Sequence, residues 1–508
     1  MTREEAAAVG MVLAVHAAEA PERPAVTGPT GDRTFAELNG RANALVRALR
    51  RRGLKAGSAV AIVCANRPEF AEVYFATHRA GFRLTTVNWH LTAGEAALIV
   101  EDCEAEALVV DARFPELALS SVGVRLAVDG PLAGFEDYDE VVDAEDTSDV
   151  DDPVLGSTML YTSGTTGRPK GVHRATPPPN AVATLRLYGY VPGEDRHLCT
   201  GPLYHAAPLA FSLNAPITAG VGVVLMDGWD AEETLRLIDE HGITHTHMVP
   251  TMFHRLLSLP DDVRARYDLS TLRFVLHGAA PCPIVVKQRL IEWLGPIVWE
   301  YYAATEGVGS FVDSTTWLAH PGTVGKPLTP DQVVIGNELA EPLPTGEVGL
   351  VWLKAPATGR FAYYKDEGKT RSTYVGDRFT LGDMGYLDEE GFLFLTDRTA
   401  NLIITGGVNV YPAEVDAALL EHPAVADAAT IGVPSAEWGE EVKAVIELKD
   451  GVAATAALGD ELIAHCRRRL AGFKCPRTVD FVDALPRQDN GKIYKGLLRE
   501  RYRERAKT

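Results

Sequence analysis

The sequence lacks the features of secreted, membrane-spanning and nucleic-acid-binding proteins. Its six cysteines are scattered without a Cys-x-x-Cys pair, so neither a disulfide framework nor a zinc site is indicated. No uninterrupted apolar run approaches the roughly 18–20 residues of a membrane span. Basic residues are outnumbered, 49 against 69 acidic ones, and the net charge of −20 disfavours nucleic acid and anionic membranes as main partners. We therefore expect a soluble, cytoplasmic protein that neither binds nucleic acid nor inserts stably into membranes.

The N-terminal segment also lacks the positive charge of a secretory signal. An apolar stretch covers residues 6–15, but Glu4 and Glu5 precede it. We interpret this segment as one amphipathic helix.

The length and the pattern of the chain predict two domains of α/β type. A chain of 508 residues exceeds one typical domain, and 46% hydrophobic with 23% charged residues is an ordinary globular composition. Between residues 33 and 111 helical and strand-like segments alternate, beginning with a helix that Thr34 and Glu37 would cap. This alternation indicates a parallel sheet covered by helices on both faces. We expect a large domain of layered, mainly parallel sheets over residues 1–397 and a small α+β domain over residues 398–508.

The stretch Tyr161–Gly171 has the composition of a phosphate-binding loop: Tyr-Thr-Ser-Gly-Thr-Thr-Gly-Arg-Pro-Lys-Gly. Its glycines allow backbone N–H groups to approach an anion, its hydroxyls add donors, and Lys170 adds positive charge. A P-loop hydrolase is excluded, because Pro169 and Gly171 stand where that motif requires a glycine and a hydroxyl residue. A Gly/Thr-rich surface turn is the alternative that this stretch alone leaves open.

This stretch closely resembles the signature loop of the adenylate-forming superfamily, which contains acyl-CoA synthetases, peptide-synthetase adenylation domains and firefly luciferase. Matching motifs continue along nearly the whole chain, at Gly278–Pro281, Tyr302–Gly307, Gly382–Gly385 and Pro486–Ile493. The resemblance implies a large AMP-binding domain, followed by a small mobile domain that carries a catalytic lysine.

Roles for individual residues come from this resemblance. It implies that adenine lies between the Gly278–Ala280 turn and the Tyr302 ring. Thr305 would contact the α-phosphate, and Glu306 would bind Mg²⁺, for which a carboxylate is a suitable hard ligand. Lys492 would be the catalytic lysine. The ATP- and AMP-binding residues implied are Thr162, Ser163, Gly164, Thr165, Thr166, Gly167, Lys170, Gly278, Ala279, Ala280, Glu300, Tyr301, Tyr302, Ala303, Asp383 and Arg398.

Two of these positions, together with Ala400, depart from the family pattern or allow a second interpretation. Asp383 lies in a Gly-Asp-x-Gly segment that could simply form a turn, whereas the resemblance implies that it accepts hydrogen bonds from the ribose. Ala303 stands where most relatives have glycine. Ala400 follows Arg398 where relatives carry Asp or Lys at the pivot between the domains. The pivot should survive, because it needs permissive backbone torsions more than a particular side chain.

The acyl and acceptor sites are predicted on fewer signals. His205 follows an aromatic residue at a strand end and could be a surface histidine, whereas the resemblance places it beside the substrate carboxylate. The other predicted pocket residues are Tyr204, Ala207, His277, Ala304 and Gly307, and those predicted to face coenzyme A are Gly406, Gly407 and Lys474. Small residues favour a roomy pocket, suited to medium or long fatty acids, steroid side chains or bulky aryl acids.

The resemblance implies an AMP-forming ligase that uses ATP, Mg²⁺ and coenzyme A. It would convert a carboxylic acid into an acyl-adenylate and then transfer the acyl group to coenzyme A. The alternative is an amide synthetase or a stand-alone adenylation enzyme, whose acceptor is an amine or a carrier-protein thiol; no carrier sequence follows residue 508, so we do not expect an acceptor in cis. A nucleotide sensor without catalysis is disfavoured, because Lys492 and Glu306 are both present. The sequence leaves open whether the protein forms a homodimer, and it predicts no other protein partner.

Overall fold

The computed structural model describes residues 2–119, 121–162, 169–174, 187–398, 401–405, 408–435, 439–487 and 492–505. Their strands form five sheets. Three sheets carry residues of the cleft that is described below. A fourth packs against one of these three, and the fifth belongs to the C-terminal part of the chain.

The predicted parallel sheets are present as two large sheets. The first has nine strands; those from Val298–Ala304 to Pro24–Gly28 run parallel, and antiparallel strands close both edges. Its spatial order is Lys326–Pro327, Gly307–Val312, Val298–Ala304, Phe274–His277, His245–Met248, Arg196–Cys199, Gly222–Leu225, Pro24–Gly28 and Gly31–Thr34. The second has six parallel strands, in the order Glu136–Asp137, Val124–Val128, Ala105–Asp111, Ala59–Val63, Arg83–Thr86 and Ser157–Thr158.

Two smaller antiparallel sheets complete the N-terminal part. One consists of Phe361–Tyr363, Lys170–Arg174 and Leu160–Thr162, so two of its strands contain the two ends of the predicted phosphate loop. We call it the phosphate-loop sheet. The other consists of Val333–Gly336, Gly349–Lys354, Arg378–Leu387, Tyr374–Val375 and Leu393–Arg398.

The helices of the N-terminal part cover and connect these sheets. The α-helices are Arg3–Ala8, Val12–Glu19, Phe35–Arg51, Pro68–Arg79, Ala93–Asp102, Tyr138–Asp143, Ala206–Pro208, Ala215–Thr218, Ala231–His241, Pro250–Ser258, Asp261–Arg264, Ile284–Leu294, Ser314–Ala319 and Glu367–Thr373. A 3-10 turn covers Pro115–Leu117, and a π-helix covers Leu209–Asn214. The predicted capping box is confirmed. The Thr34 side chain accepts a hydrogen bond from the backbone N–H of Glu37, and the Glu37 side chain accepts one from the backbone N–H of Thr34.

The prediction of a single N-terminal helix is wrong. Two helices, Arg3–Ala8 and Val12–Glu19, are separated at Gly10. Gly10 has a φ of 77°, and a Cβ there would collide with the backbone carbonyl of His78. The chain therefore breaks where its backbone passes close to the helix Pro68–Arg79.

One hydrophobic core joins the two large sheets. Helices Phe35–Arg51 and Pro68–Arg79 contribute Leu38, Leu45, Phe70 and further residues to it, together with side chains from strands of both sheets. The apolar run Ala59–Val63 is buried along its whole length, as a strand covered on both faces requires. The two sheets are therefore fixed relative to each other by shared packing.

The acidic segment 142–153 contains no strand. Its carboxylates are nevertheless used. Asp146, Asp152 and Glu145 pair with Arg47, Arg50 and Arg51 of one helix. The segment is thereby held along the helix Phe35–Arg51.

The residues after 400 form hydrophobic clusters of their own. Their sheet contains Val408–Val410, Ile403–Thr405, Gly439–Leu448, Val425–Ser435 and Thr478–Val482, and their helices are Pro412–Leu420, Ala456–Arg467, the 3-10 turn Gly472–Lys474 and Lys495–Arg505. The α+β character is as predicted, and the boundary at 397/398 stays a prediction. No helix in the described part of the chain combines the length and the apolarity needed to cross a bilayer.

A buried carboxylate holds the two core helices together and gives a stability prediction. Glu72 is fully buried and accepts hydrogen bonds from Arg33 Nε at 2.8 Å, Arg41 Nε at 2.8 Å and Tyr138 Oη at 3.0 Å. We expect Glu72→Ala to lower the free energy of unfolding by about 1.5–3 kcal/mol, because it removes the hydrogen bonds to a buried charge, although Arg33 keeps Glu69 and Arg41 keeps its surface carboxylates. Chemical denaturation measures this loss.

Glu240→Ala is the matched control. Glu240 lies on the surface, where it pairs with Arg236, and its side chain is 54% exposed. Its removal should change the free energy of unfolding by no more than about 1 kcal/mol. Equal losses in the two variants would contradict the role assigned to Glu72.

Candidate active site

A single open cleft brings most of the predicted site residues together. Its volume of about 3450 Å³ exceeds the roughly 300–1,000 Å³ of a pocket for one small ligand. The predicted residues that line it are Thr162, Lys170, Tyr204, His205, Ala207, Ala279, Ala280, Glu300, Tyr301, Tyr302, Ala303, Ala304, Thr305, Glu306, Gly307, Asp383, Lys474 and Lys492. Residues more than 300 positions apart in the sequence thus share one surface.

The remaining predicted residues are not on that surface or lie outside the described chain. His277 is fully buried, behind the turn that begins at Gly278. It does not line the cleft, although we expected it to form part of the pocket wall. Gly278 is also buried, and a Cβ there would lie 2.6 Å from the Tyr301 ring. Residues 163–167, Gly406, Gly407 and the side chain of Arg398 lie outside the part of the chain that the structure describes.

The predicted adenine and ribose residues are in direct contact. The Tyr302 hydroxyl donates to Asp383 Oδ2 at 2.7 Å, across 81 positions of sequence. Gly309 makes this possible, because a side chain there would collide with the Tyr302 ring. The stacking ring and the ribose carboxylate are therefore positioned relative to each other before a nucleotide binds.

Both residues lie on strands, so the Gly-Asp-x-Gly segment of Asp383 does not form the turn that its composition suggested. Tyr302 belongs to Val298–Ala304 and Asp383 to Arg378–Leu387. The strand register shifts beside each of them, between Tyr302 and Ala303 and between Met384 and Gly385. Such bulges re-aim side chains within a sheet, so a strand can present them where we expected a turn.

The turn on the other side of the predicted adenine position is strained. Ala279 has a φ of 67°, in the left-handed region where glycine is favoured. A non-glycine residue there costs about 1–2 kcal/mol. Ala279 and Ala280 both line the cleft, so the strained backbone faces the ligand.

The phosphate end contains a residue that sequence reasoning missed. Tyr363 donates its hydroxyl to Glu306 Oε1 at 3.0 Å, and Lys170 Nζ lies 5.8 Å from the centre of its ring. Burial and the negative charge of Glu306 raise the pKa of Tyr363, so the hydroxyl stays a donor. No local signal marked Tyr363, because its partner lies 57 positions away.

A second missed residue, Lys287, stabilises Glu300. Lys287 Nζ donates to Glu300 Oε2 at 2.6 Å, and both side chains are buried. His277 Nε2 lies 3.6 Å from the same oxygen. Burial raises the pKa of Glu300, while burial and the charge of Lys287 lower that of His277, so the histidine is neutral. Glu300 also lines the cleft, so this ion pair supports its floor.

The predicted acyl end has an aromatic wall. Tyr301 Oη and His247 Nε2 are 3.0 Å apart, and the Phe211 ring packs edge-on against Tyr301 with 4.9 Å between centroids. Burial lowers the pKa of His247 to about 3, so this histidine is neutral at ordinary pH. Phe211 lies in the π-helix Leu209–Asn214, an irregularity that is frequent at functional sites. The alternating His245 and His247 in a buried strand were the signal that could have identified His247.

Lysines of the C-terminal part border the same cleft. Lys492 and Lys474 both line it. Lys474 forms an ion pair with Glu414, with distances of 2.7 and 2.8 Å to its two oxygens. To contact an anionic ligand, Lys474 would have to exchange this partner.

The residues present fit the Mg²⁺ that was predicted. The described residues contain no group of three or more His, Cys, Asp or Glu side chains that could hold a metal alone. Mg²⁺ in nucleotide sites is commonly bound by one or two carboxylates together with substrate phosphates. Glu306, held by Tyr363 beside Thr305 and Lys170, is a carboxylate suited to this role.

Comparison with known proteins agrees with this geometry. Residues 13–363 match the family described as AMP-binding enzyme, and residues 414–492 match its C-terminal domain. A feruloyl-CoA synthase of Amycolatopsis is 33% identical over 474 residues, which cover 92% of this chain and 94% of that protein.

Two solved structures resemble the whole fold. The o-succinylbenzoate CoA synthetase of Bacillus subtilis, in complex with its acyl-adenylate intermediate, is 29% identical with a TM-score of 0.81, covering 96% of this chain and 97% of that one. An amide bond synthetase of Marinactinospora thermotolerans is 28% identical with a TM-score of 0.84, covering 97% of this chain and 100% of that one.

The fold and the cleft define an adenylate-forming enzyme with a large N-terminal and a small C-terminal part, as predicted. The chain belongs to the AMP-binding enzyme family.

Proposed function

We propose that this protein is an AMP-forming acid–thiol ligase that converts a ring-bearing carboxylic acid into its coenzyme A thioester. Family membership supports the ATP-dependent formation of an acyl-adenylate. The observation that carries the substrate class is the aromatic wall, in which Phe211, His247 and Tyr301 present flat, uncharged surfaces.

The first half-reaction joins two anions. An oxygen of the substrate carboxylate forms a bond to the α-phosphorus of ATP, and the bond to pyrophosphate breaks. The barrier is lowered by positive charge that is positioned beforehand. Lys492 would contact the carboxylate and the α-phosphate, and Lys170 would contact the departing phosphates. Mg²⁺ bound at Glu306 would supply further neutralising charge.

The other predicted roles follow the same geometry. Tyr302 would stack on adenine while Asp383 accepts from the ribose hydroxyls, and Thr305 would contact the α-phosphate. His205, on the acyl side of the cleft, would lie beside the substrate carboxylate. Ala207 and Ala304 leave the pocket roomy enough for a ring system. Gly307 makes room for the Phe379 ring, because a Cβ there would lie 2.7 Å from it.

The second half-reaction requires the acceptor to reach the acyl carbon. The thiolate of coenzyme A attacks this carbon, and AMP leaves with the oxygen that came from the acid. We propose that residues 398–508 rotate about a hinge at 398–400, which removes Lys492 and brings the segment of Gly406 and Gly407 to the adenylate. Lys474 and nearby arginines would attract the phosphates of coenzyme A.

Alternatives remain within the same chemistry. An amine acceptor is favoured by one observation, the structural likeness to an amide bond synthetase. Relatives act on ring-bearing acids, as the names feruloyl-CoA synthase and o-succinylbenzoate CoA synthetase state, so we place fatty acid metabolism second to activation of aryl acids. We further propose a cytoplasmic location, because free cysteines are typical of a reducing compartment and all six cysteines are free. We also propose a homodimer, which a measurement of the oligomeric state in solution would test.

Pyrophosphate release tests the substrate class and the acceptor together. We expect MgATP-dependent release with aryl-propenoic, aryl-acetic or fused-ring acids to exceed that with straight-chain acids at least tenfold, because flat rings pack against the wall. Coenzyme A should accelerate release and give a thioester visible by mass spectrometry. Preference for straight-chain acids would contradict the substrate class, and consumption of the adenylate by amines alone would contradict the thiol acceptor.

Lys492→Ala tests the assignment of the two half-reactions. We expect adenylate formation to fall about a hundredfold or more, on the order of 3 kcal/mol in the barrier, because the cation at the α-phosphate is lost. Thioester formation from supplied acyl-adenylate should fall far less. Both rates are measured by quenched-flow chromatography.

Lys443→Ala serves as the control for this variant. Lys443 is a lysine of the same part of the chain, but it pairs with Asp480 at 2.8 Å and does not line the cleft. It should leave both rates near those of the unaltered enzyme. Equal losses of both half-reactions in Lys492→Ala would contradict the role of Lys492.

A further inference from the structure

We propose that Tyr363 is a positioning residue that holds the carboxylate of Glu306 in the orientation that binds the metal of MgATP. The inference rests on the proposed function, in which Glu306 is the metal carboxylate. It extends that function to a residue on a different sheet, 57 positions away in the sequence.

The phosphate-loop sheet contacts Glu306 at two points. The Tyr363 hydroxyl donates to Glu306 Oε1 at 3.0 Å. Arg174, on the adjacent strand Lys170–Arg174, donates to the backbone carbonyl of Glu306. The backbone and the side chain of Glu306 are thus both hydrogen-bonded to the phosphate-loop sheet.

Burial makes the side-chain contact specific. Glu306 is 6% and Tyr363 is 7% exposed, so water competes little for the hydrogen bond between them. A hydrogen bond to one carboxylate oxygen limits rotation of the group and directs the other oxygen. Outer partners of this kind orient metal ligands, and their loss typically costs about 10–100-fold in metal affinity or activity.

Tyr363 is itself held rigidly. Its strand pairs with Lys170–Arg174, with Tyr363 opposite Val172, and its backbone N–H donates to Thr370 Oγ1 at 2.9 Å. Its ring packs edge-on against Phe361, with 5.5 Å between the ring centroids. The next residue, Tyr364, donates its N–H to the Gly171 carbonyl at 2.8 Å. The hydroxyl therefore has little freedom to leave Glu306.

The same ring relates the carboxylate to the phosphate-binding cation. Lys170 Nζ lies 5.8 Å from the Tyr363 centroid, over the ring whose hydroxyl contacts Glu306. One side chain thus sets the spacing between the positive group and the metal carboxylate, which must contact the same polyphosphate.

Calorimetric titration of Mg²⁺ into the enzyme with bound α,β-methylene-ATP, which cannot transfer its adenylyl group, tests this role. We expect Tyr363→Phe to weaken Mg²⁺ binding at least about tenfold, because it removes the hydroxyl and keeps the ring. The KM for the acid and the melting temperature in metal-free buffer should stay near the unaltered values.

Tyr364→Phe is the matched control. Its hydroxyl also donates to a glutamate, Glu104 Oε2 at 2.6 Å, but this contact is exposed and does not involve Glu306. Mg²⁺ affinity should be unchanged in this variant. An equal effect of the two substitutions, or a fall in melting temperature that accounts for the weaker binding, would overturn the positioning role.

Glu306→Gln separates this inference from the function on which it rests. If Glu306→Gln weakens Mg²⁺ binding and Tyr363→Phe does not, the role of Tyr363 is wrong and the metal assignment stands. If neither variant alters Mg²⁺ binding while adenylate formation persists, the assignment of Glu306 as metal carboxylate is wrong, and the inference falls with it.

Discussion

The repulsion between a carboxylate and a polyphosphate is the constraint that the cleft has to overcome. In water both anions are well solvated and approach each other poorly. The proposed reaction therefore depends on cations and hydrogen-bond donors held at fixed positions, where they need no reorganisation as charge develops. Lys170, Lys492 and Glu306, which we propose to bind the metal, come from three distant parts of the sequence. Their relative placement is a property of the fold.

Three of the sheets each contribute one part of that placement. The nine-stranded sheet supplies the turn of Thr305 and Glu306, which follows one of its strands. Glu300 lies on that strand, and its ion pair with Lys287 supports the floor of the cleft. The phosphate-loop sheet supplies Lys170 and, through Tyr363, a bond to Glu306. The sheet of Arg378–Leu387 supplies Asp383, which is bonded to Tyr302. Hydrogen bonds between side chains of different sheets thus fix the site, while the shared hydrophobic core fixes the two large sheets.

The fold class could be predicted from alternating hydrophobicity, and most of the predicted site residues do line the cleft, because short motifs that carry the family resemblance are local signals. Long-range relations could not be predicted. Tyr363 and Lys287 acquire their meaning only when the chain brings them to Glu306 and Glu300. The strand position of Asp383 was not recognised because bulges imitate turns in composition. His277 was placed on the pocket wall because the turn that follows it lines the cleft at Ala279 and Ala280, whereas the strand Phe274–His277 is buried along its whole length.

Transfer of oxygen-18 from the acid to AMP tests the central claim most directly. The carboxylic acid that gives the fastest pyrophosphate release would be labelled in both carboxylate oxygens and converted with unlabelled ATP and coenzyme A. Because the carboxylate oxygen attacks the α-phosphorus and remains on it when the thiol displaces the acyl group, each AMP should carry one labelled oxygen. Unlabelled AMP, or label in inorganic phosphate together with ADP, would contradict an acyl-adenylate as the intermediate.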